Sequence, residues 1–473
     1  MRIAWFFIIS IWTLVESTTS CDSDSHCLAP YQCFNTQCEI LFAGTCKRDV
    51  DCSSLHHCSD GKCEHKSLFP IQGLEVMGTV MTILISGLSN AAGIGGGPLN
   101  TITTQVFFGF DTYRAVAFSQ VAIFGGSLMS VALKIPARHP TKDRPLLDYE
   151  LVAYLIAPLL SGTSIGVALH LIFPDWLTVT LLVILLVYVS YKTAKKGISI
   201  YKAETKHRIS FDSINPEAGP EVSILDKEPE EVKEENLLLQ NHLKEEKKLV
   251  PVGPASTIGL IYSIVLLASF VKGGKGVNSI IGISQCSAGY WIFLIFYFIV
   301  LMIITWHLGN NLIEKTKQRI EANYDFDESD PKWNKKSATI IGSVTFAAGI
   351  AAGSLGIGGG LIMNPFMLAL GIRPEISTAC SNLMVLFSSS ISFLQYCISG
   401  IISIDYGIWL FISSLCGSLL GFIVIKQILK KINRPSLIIL LLAFMLTASL
   451  IGIFVTGIAT IIDEEYYGFS SMC

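Results

Sequence analysis

Long apolar stretches recur along the whole chain, and they constrain its fold more than any other feature of the sequence. Of the 473 residues, 51% are hydrophobic and only 15% are charged, whereas about a quarter of the residues of a typical soluble protein are charged. A run of roughly 18–20 apolar residues can cross a bilayer as a helix, which satisfies its backbone hydrogen bonds internally. The sequence therefore predicts an all-α polytopic membrane protein. The apolar segments are 71–92, 98–110, 113–134, 149–172, 174–191, 254–272, 288–308, 338–356, 361–371, 376–398, 404–428 and 435–460.

Residues 1–20 have the features of a secretory signal peptide. Arg2 precedes a short apolar run at 3–15, and the small residues Thr18 and Ser20 follow it. A basic start, a short apolar core and small residues before the cut are typical of such signals. Cleavage before Cys21 is therefore the favoured interpretation. The alternative is an uncleaved anchor helix, for which the apolar run is short.

Eight of the 13 cysteines lie within residues 21–66, in two units with identical spacing. Segments this small bury too little apolar surface to fold without cross-links. Behind a signal peptide, an even number of cysteines indicates disulfides, so these residues are predicted to form a structural or recognition module outside the cytoplasm. Zinc binding is the less favoured alternative, because the spacing lacks a C-x-x-C pair. Each unit allows three internal pairings, which the sequence leaves open. The cysteines predicted to form disulfides are Cys21, Cys27, Cys33, Cys38, Cys46, Cys52, Cys58 and Cys63.

Basic residues cluster between particular apolar segments and predict the orientation of the chain. Positive charge favours the cytoplasmic side, and a disulfide module requires the opposite side. Both demands are met if the short segments 98–110 and 361–371 each count as one crossing. The two halves then have opposite orientations, as in many secondary transporters. The alternative is that each short segment enters and leaves on one side. The four basic stretches begin at Lys134, Lys192, Lys315 and Lys426.

These assignments divide the chain into eight regions. The mixed Lys and Glu runs that follow the fifth apolar segment predict a solvated linker. The regions are a signal peptide (1–20), the Cys-rich module (21–66), membrane repeat 1 (67–192), a charged cytoplasmic linker (193–252), two connecting transmembrane helices (253–310), a cytoplasmic loop (311–337), membrane repeat 2 (338–460) and a tail (461–473).

An internal repeat carries the strongest functional signal. Gly-Ile-Gly-Gly-Gly at 93–97 recurs at 356–360, and each copy precedes a short apolar segment. About twenty residues later, Ala-Phe-Ser-Gln at 117–120 has its counterpart in Ala-Cys-Ser-Asn at 379–382. Each glycine weakens a helix by about 1 kcal/mol relative to alanine. The two copies therefore predict glycine-broken or re-entrant helices in two pseudo-symmetric, inverted repeats.

The glycine copies also indicate a binding chemistry. Unwound backbone is tolerated at membrane depth only where protein or a watery cavity surrounds it. A half-helix that begins there presents free N–H groups and the positive end of its dipole, which suits an anion. The apolar segments carry almost no acidic residues, which disfavours a cation. Close helix packing is the alternative use of such glycines. The residues predicted to bind substrate are Gly95, Gly96, Gly97, Asn100, Thr101, Ser119, Gln120, Gly358, Gly359, Gly360, Asn364, Ser381 and Asn382.

Residues 70–460 resemble the sulfite exporter TauE/SafE family of anion permeases. The resemblance lies in the two glycine copies, in Pro365 and Gly371 after the second copy, and in the two Ala-x-Ser elements. The C-x-x-x-Y-W element at 286–291 is similar to one in larger eukaryotic members. The resemblance implies transport of sulfite, sulfonates or related sulfur oxyanions. Copy one departs from the pattern, because Thr101 and Ile102 stand where copy two has Asn364 and Pro365.

The sequence thus predicts a permease or exporter rather than an enzyme, with no cofactor, no metal and no nucleic-acid partner. Its partners are a small anion and the lipid bilayer, and a homo-oligomer is left open. The expected location is the plasma membrane or an endomembrane, with the Cys-rich module lumenal or extracellular. Two alternatives are a receptor or scaffold that uses the module, and an intramembrane hydrolase. The hydrolase needs a paired nucleophile and base. The candidate bases in the apolar segments, His170 and His307, both lie outside the repeated glycine and Ala-x-Ser segments.

Overall fold

The fold is taken from a computed structural model of the chain. The structure describes residues 32–34, 37–39, 52, 55–59, 62–170, 172–214, 247–272, 287–321, 324, 326–327, 330–331, 333–432 and 436–463. The predicted signal peptide, the tail beyond residue 463 and the linker from 215 to 246 lie outside these residues, as do Cys21, Cys27 and Cys46.

Within the Cys-rich module, the described residues form two small β-hairpins. Strands β1 (Gln32–Phe34) and β2 (Gln37–Glu39) pair antiparallel, and so do β3 (His56–Ser59) and β4 (Lys62–His65). Cys33 lies opposite Cys38 in the first hairpin as Cys58 lies opposite Cys63 in the second, so the third and fourth cysteines of each unit occupy equivalent positions. A disulfide joins Cys52 to Cys63, and Cys58 is also disulfide-bonded.

Twelve helices make up the rest of the described structure. The first half contains five of them and the second half the last five, with two connecting helices between. Their bounds are α1 Gly73–Ala92, α2 Gly97–Phe108, α3 Thr112–Lys134, α4 Tyr149–His170, α5 Asp175–Ile214, α6 Val252–Lys272, α7 Ala288–Glu321, α8 Lys335–Leu355, α9 Gly360–Ala369, α10 Pro374–Ile398, α11 Ile404–Ile432 and α12 Ser436–Asp463.

Ten of these described helices are long and apolar enough to cross a membrane, and α2 and α9 are not among them. The prediction of an all-α polytopic membrane protein is confirmed. Two helices are longer than their apolar segments: α5 continues to Ile214 and α7 to Glu321. The first part of the predicted linker and of the predicted loop at 311–337 is therefore helical.

The ends of the helix bundle differ in chemistry, and each end can be followed through its contacts. At one end, the module end, the Leu68 amide donates to Asp405 and Lys66 pairs with Glu75 at 2.8 Å. The other end, the basic end, holds ion pairs between connecting loops and helices. These pairs are Arg144–Asp330, Lys315–Glu150, Arg319–Glu150 and Arg373–Asp327.

The two short helices turn back toward the side from which the preceding helix came. The end of α2 lies beside the start of α1, since a Cβ on Gly78 would lie 2.6 Å from the Phe108 ring. Just beyond α9, Arg373 pairs with Asp327, which precedes α8. The start of α1 and the end of α2 therefore both lie at the module end, whereas the start of α8 and the end of α9 both lie at the basic end. This opposite direction confirms the inverted arrangement of the two repeats.

The repeats pack on each other through equivalent helices. A Cβ on Gly349 of α8 would lie 3.0 Å from the Gly162 Cα of α4. In the symmetry-related pair, a Cβ on Gly421 of α11 would lie 2.4 Å from the Gly87 Cα of α1. Small residues allow such close helix contact in membranes, so close packing does explain these glycines. They lie outside the two Gly-Ile-Gly-Gly-Gly copies.

Candidate anion site between the two glycine breaks

Both glycine copies interrupt the helix, as predicted. The first helix of repeat 1 ends at Gly93 with φ 80°, and Gly95 (φ 73°) and Gly96 (φ 83°) follow in the left-handed region before α2 begins. In copy two, Gly356 (φ 66°) and Gly358 (φ 67°) are left-handed. Residues with a Cβ adopt this region at a cost that glycine avoids. These positions therefore require glycine for the turn itself.

The two breaks cross each other in antiparallel directions at the centre of the bundle. A Cβ on Gly97 would lie 2.5 Å from the Gly356 carbonyl oxygen, and one on Gly360 would lie 2.7 Å from the Gly93 carbonyl oxygen. Between these contacts, Gly95 and Gly358 both pack on Ile123 of α3, at the middle of that helix. The start of α2 and the start of α9 are thereby brought close together in mid-bundle.

The serines of the repeated Ala-x-Ser elements bind the break of the opposite repeat. Ser119 Oγ shares its single proton between the Val116 carbonyl of its own helix at 2.8 Å and the Gly356 carbonyl at 3.1 Å, and Ser381 Oγ donates to the Gly93 carbonyl at 2.6 Å. The carboxamides of the next residues in α3 and α10 donate to carbonyls about one helical turn before each break. Gln120 Nε2 donates to the Ala352 carbonyl at 3.3 Å, and Asn382 Nδ2 donates to the Asn90 carbonyl at 2.7 Å.

These contacts change the electrostatics of the breaks. The last carbonyls of a helix lack intrahelical partners and carry its negative partial charge. Here the side-chain donors of α3 and α10 bind carbonyls at the ends of α1 and α8, and Asn364 Nδ2 donates to the Ala92 carbonyl at 2.5 Å. Beside the amino ends of α2 and α9, these carbonyls are therefore hydrogen-bonded, which weakens the negative potential of the helix carboxyl ends.

Several buried polar atoms beside the breaks have no hydrogen-bond partner among the described residues. Asn100 has no partner for either amide atom and is 1% exposed. The hydroxyls of Ser89, next to Gly96, and Thr378, next to Gly93, are also unpaired. An unpaired buried polar group costs about 1–3 kcal/mol. These atoms leave hydrogen-bonding capacity beside the breaks that no described residue satisfies. Thr101, in contrast, donates to Gly97 O at 3.1 Å within its own helix.

The sequence prediction missed one functional candidate, Lys134. It was assigned to a cytoplasmic loop, but it ends α3, is 8% exposed and directs Nζ to the Asn90 carbonyl at 3.4 Å. It is the one lysine or arginine that is buried in the described part of the chain. Ser130, which contacts Asn382 at 2.6 Å, lies four residues before it on the same helix face. That spacing was the available signal.

The Cys-rich module packs against the module end of the bundle, away from Lys134. His65 Nε2 lies 2.6 Å from the Phe108 carbonyl at the end of α2, and its ring stacks on Phe110. Burial lowers the pKa of His65. Beneath it, the buried Glu75 carboxylate accepts from Lys66 at 2.8 Å and from the Tyr406 hydroxyl at 2.5 Å. These contacts tie the module to both repeats.

A cavity of about 270 Å³ lies at the basic end, away from the breaks. Three of its four lining lysine and arginine residues pair with carboxylates: Arg144 with Asp330 at 2.5 Å, and Lys315 and Arg319 with Glu150 at 2.8 Å and 3.2 Å. Because only Lys248 among these four cations lacks a carboxylate partner among the described residues, we rank the cavity below the crossing of the breaks as a candidate anion site.

Comparison with known proteins gives a consistent result. The profile of the family described as "Sulfite exporter TauE/SafE" matches residues 62–199 and 241–448. The chain is 30% identical over 406 residues to "Sulfite exporter TauE/SafE family protein 3" of Arabidopsis thaliana, which covers 84% of this chain and 82% of the relative. It is 27% identical over 409 residues to family protein 1 of the same plant, covering 84% and 88%. No solved structure matches the chain significantly.

Proposed function

Because the chain belongs to the sulfite exporter TauE/SafE family, we propose that it is a permease for sulfite or a related sulfur oxyanion, and that the anion binds where the two glycine breaks cross. The family model covers most of the membrane domain, including both breaks. The relatives' names specify sulfite export, which supports this substrate class.

The crossing itself is the observation that carries the proposal. Two helix amino ends meet in mid-bundle, and each presents backbone N–H groups without a side chain to keep a guest at a distance. The nearby carbonyls are occupied by Ser119, Ser381 and their neighbouring carboxamides. Unpaired polar groups on Ser89, Asn100 and Thr378 remain to bind a guest.

The inverted repeats suggest how the site would open alternately to each side. All ten residues of the two breaks are buried, so a guest can exchange only if helices move. In transporters with inverted repeats, one repeat rocks against the other around a fixed central site. Here each break is held by a helix of the other repeat, so that such rocking would move the breaks and their binding groups together.

The charges at the two ends support an orientation. Arg144, Lys315, Arg319 and Arg373 lie at the basic end, and positive charge favours the cytoplasm. The disulfide of Cys52 and Cys63 lies at the module end, which suits an oxidising exterior or lumen. We therefore assign the basic end to the cytoplasm.

Flux through reconstituted protein tests the function. The full chain in liposomes is compared with protein-free liposomes for uptake of sulfite, sulfate, an alkanesulfonate and acetate. We expect saturable uptake of a sulfur oxyanion, with acetate uptake at the protein-free level. Uptake of every anion at the protein-free rate, by protein that remains folded in detergent, would refute the proposal.

A further inference from the structure

The inverted repeats match at the breaks but differ in one charge beside them. Lys134 follows Ser119 by fifteen residues on α3, and Tyr396 follows Ser381 by fifteen residues on α10. Ser119 and Ser381 make equivalent hydrogen bonds to the opposite breaks. Lys134 and Tyr396 are therefore symmetry-related positions, one with an amine that can carry a positive charge and the other with a neutral phenol.

Their contacts are equivalent as well. Lys134 Nζ donates to the carbonyl of Asn90 at 3.4 Å, three residues before Gly93. The Tyr396 hydroxyl donates to the carbonyl of Gly353 at 3.1 Å, three residues before Gly356. Each side chain thus reaches the end of the helix that leads into a break. Lys134 approaches from the basic end and Tyr396 from the module end.

The amine of Lys134 has no carboxylate partner among the described residues. No described carboxylate lies within ion-pair distance of its Nζ, and the groups around that nitrogen are neutral: the Asn90 carbonyl, the Asn382 carboxamide that shares it, and the Cys380 thiol. Burying a charge without a partner is costly in a membrane, and ionisable groups there usually mark a substrate path. A helix carboxyl end attracts a cation weakly, and Tyr396 shows that a neutral hydroxyl serves the equivalent end.

We propose that Lys134 is the group that pairs with the transported anion on the cytoplasmic side of the breaks, so that the site binds its substrate more tightly from the cytoplasm than from the side of Tyr396. This inference rests on the proposed function. The uncharged Asn382 amide and the Ser130 hydroxyl lie beside Lys134 and complete a polar surface facing the end of α1. A single cation on one side of a symmetric site gives the two openings different affinities for the same anion.

Half-saturating sulfite concentrations at the two faces test this inference. They are measured with inside-out and right-side-out vesicles that contain the full-length protein. We expect a lower value at the cytoplasmic face of the wild type. Lys134→Gln should raise the cytoplasmic value by about tenfold or more, because a charge-assisted hydrogen bond is lost, and should leave the external value within about threefold. Lys134→Arg should keep most of the difference.

Two further variants separate this role from a structural one. Lys336→Gln removes an exposed lysine at the start of α8 and should change neither value. Tyr396→Phe removes the equivalent hydrogen bond without a charge and should also leave the difference between faces. If Lys134 only caps α1, Lys134→Gln lowers thermal stability while both half-saturating values stay unchanged, and that result overturns the inference.

The wild-type measurement keeps the inference falsifiable if Lys134→Gln fails to fold. Equal half-saturating concentrations at the two faces of wild-type protein overturn the role of Lys134 and leave the permease itself standing. Absence of sulfur oxyanion flux at either face overturns the proposed function, and the inference with it.

Discussion

Ser119 of the first repeat donates a hydrogen bond to the carbonyl oxygen of Gly356 in the second repeat, over 3.1 Å. Ser381 returns the same contact to Gly93 at 2.6 Å. The backbone that each repeat unwinds is therefore held by a helix of the other repeat. This reciprocal arrangement links the geometry of the site to the relative position of the two repeats.

Removing these serine hydroxyls should loosen both breaks. In Ser119→Ala and Ser381→Ala, one buried carbonyl loses a donor, at a cost of about 1–3 kcal/mol. We expect each variant to unfold at a lower temperature and the double variant to be further destabilised. Ser256→Ala, which removes an exposed hydroxyl on α6, is the matched control. A double variant as stable as the control would show that the cross-repeat bonds do not hold the breaks.

A methyl group at the crossing should block transport. The Cβ of Gly97→Ala would lie 2.5 Å from the Gly356 carbonyl oxygen, and that of Gly360→Ala would lie 2.7 Å from the Gly93 carbonyl oxygen. Backbone atoms cannot rotate away, so the breaks must separate, at a cost of about 1–3 kcal/mol. We expect at least a tenfold loss of sulfite flux. Gly259→Ala, where a Cβ meets nothing within 4 Å, should keep wild-type flux, and equal flux in all variants would contradict the account.

The docked module should weaken in acid. Burial, followed by the charges of His65, Arg114 and His57, lowers the pKa of His56 to about 4. A released His56 takes up a proton near its ordinary pKa of about 6.5. Because the released form binds more protons between these values, the stability of the docked form falls as the pH drops from about 6.5 to 4. Hydrogen exchange of β3 and β4, corrected for its intrinsic pH dependence, measures this.

The control for the acid response is His56→Asn. It removes one of the two module histidines whose pKa is lowered, His56 and His65, and should flatten the pH dependence of exchange. Wild-type protection that is equal at pH 7.5 and about pH 4.5 would contradict the role of these histidines.

Loss of the Glu75 carboxylate should destabilise the module end of the bundle. Its oxygens accept hydrogen bonds from Lys66, the Gln72 amide and Tyr406. Removal of one partner of a buried ion pair typically costs about 3–5 kcal/mol. We expect Glu75→Leu to lower the thermal unfolding midpoint by several degrees. Glu64→Gln, at an exposed site in β4, should have no measurable effect. Equal midpoints for the two variants would contradict the stabilising role of Glu75.

Much of the fold was readable from the sequence, because its signals are local. Apolar length predicted the helices, the glycine copies predicted both breaks and the repeat, and the distribution of basic residues predicted its inversion. The continuation of α5 to Ile214 was missed, because Lys195 and the lysines after it were assigned to a linker although lysine is a good helix former. Copy two also shows that identical sequence motifs can differ in backbone conformation, since Gly359 has φ −58° whereas Gly96 has φ 83°.

The side-chain contacts of the candidate site could not be predicted from local sequence patterns, because they join helices that are far apart in the sequence. The burial of Lys134 depends on Asn90 and Asn382, which lie on helices far away in the sequence. Glu75 is buried by Tyr406 from the other repeat. The predicted binding residues Ser119, Gln120, Ser381 and Asn382 donate to backbone carbonyls across the repeats, and their direct contact with substrate remains a prediction.

The position of bound sulfite, in a structure of the full chain determined at saturating sulfite, tests the central claim most directly. We predict an anion within hydrogen-bond distance of backbone N–H groups at the crossing of residues 93–97 and 356–360. Sulfite bound only in the cavity lined by Arg144 and Lys315, with the crossing packed as it is without ligand, would contradict the account.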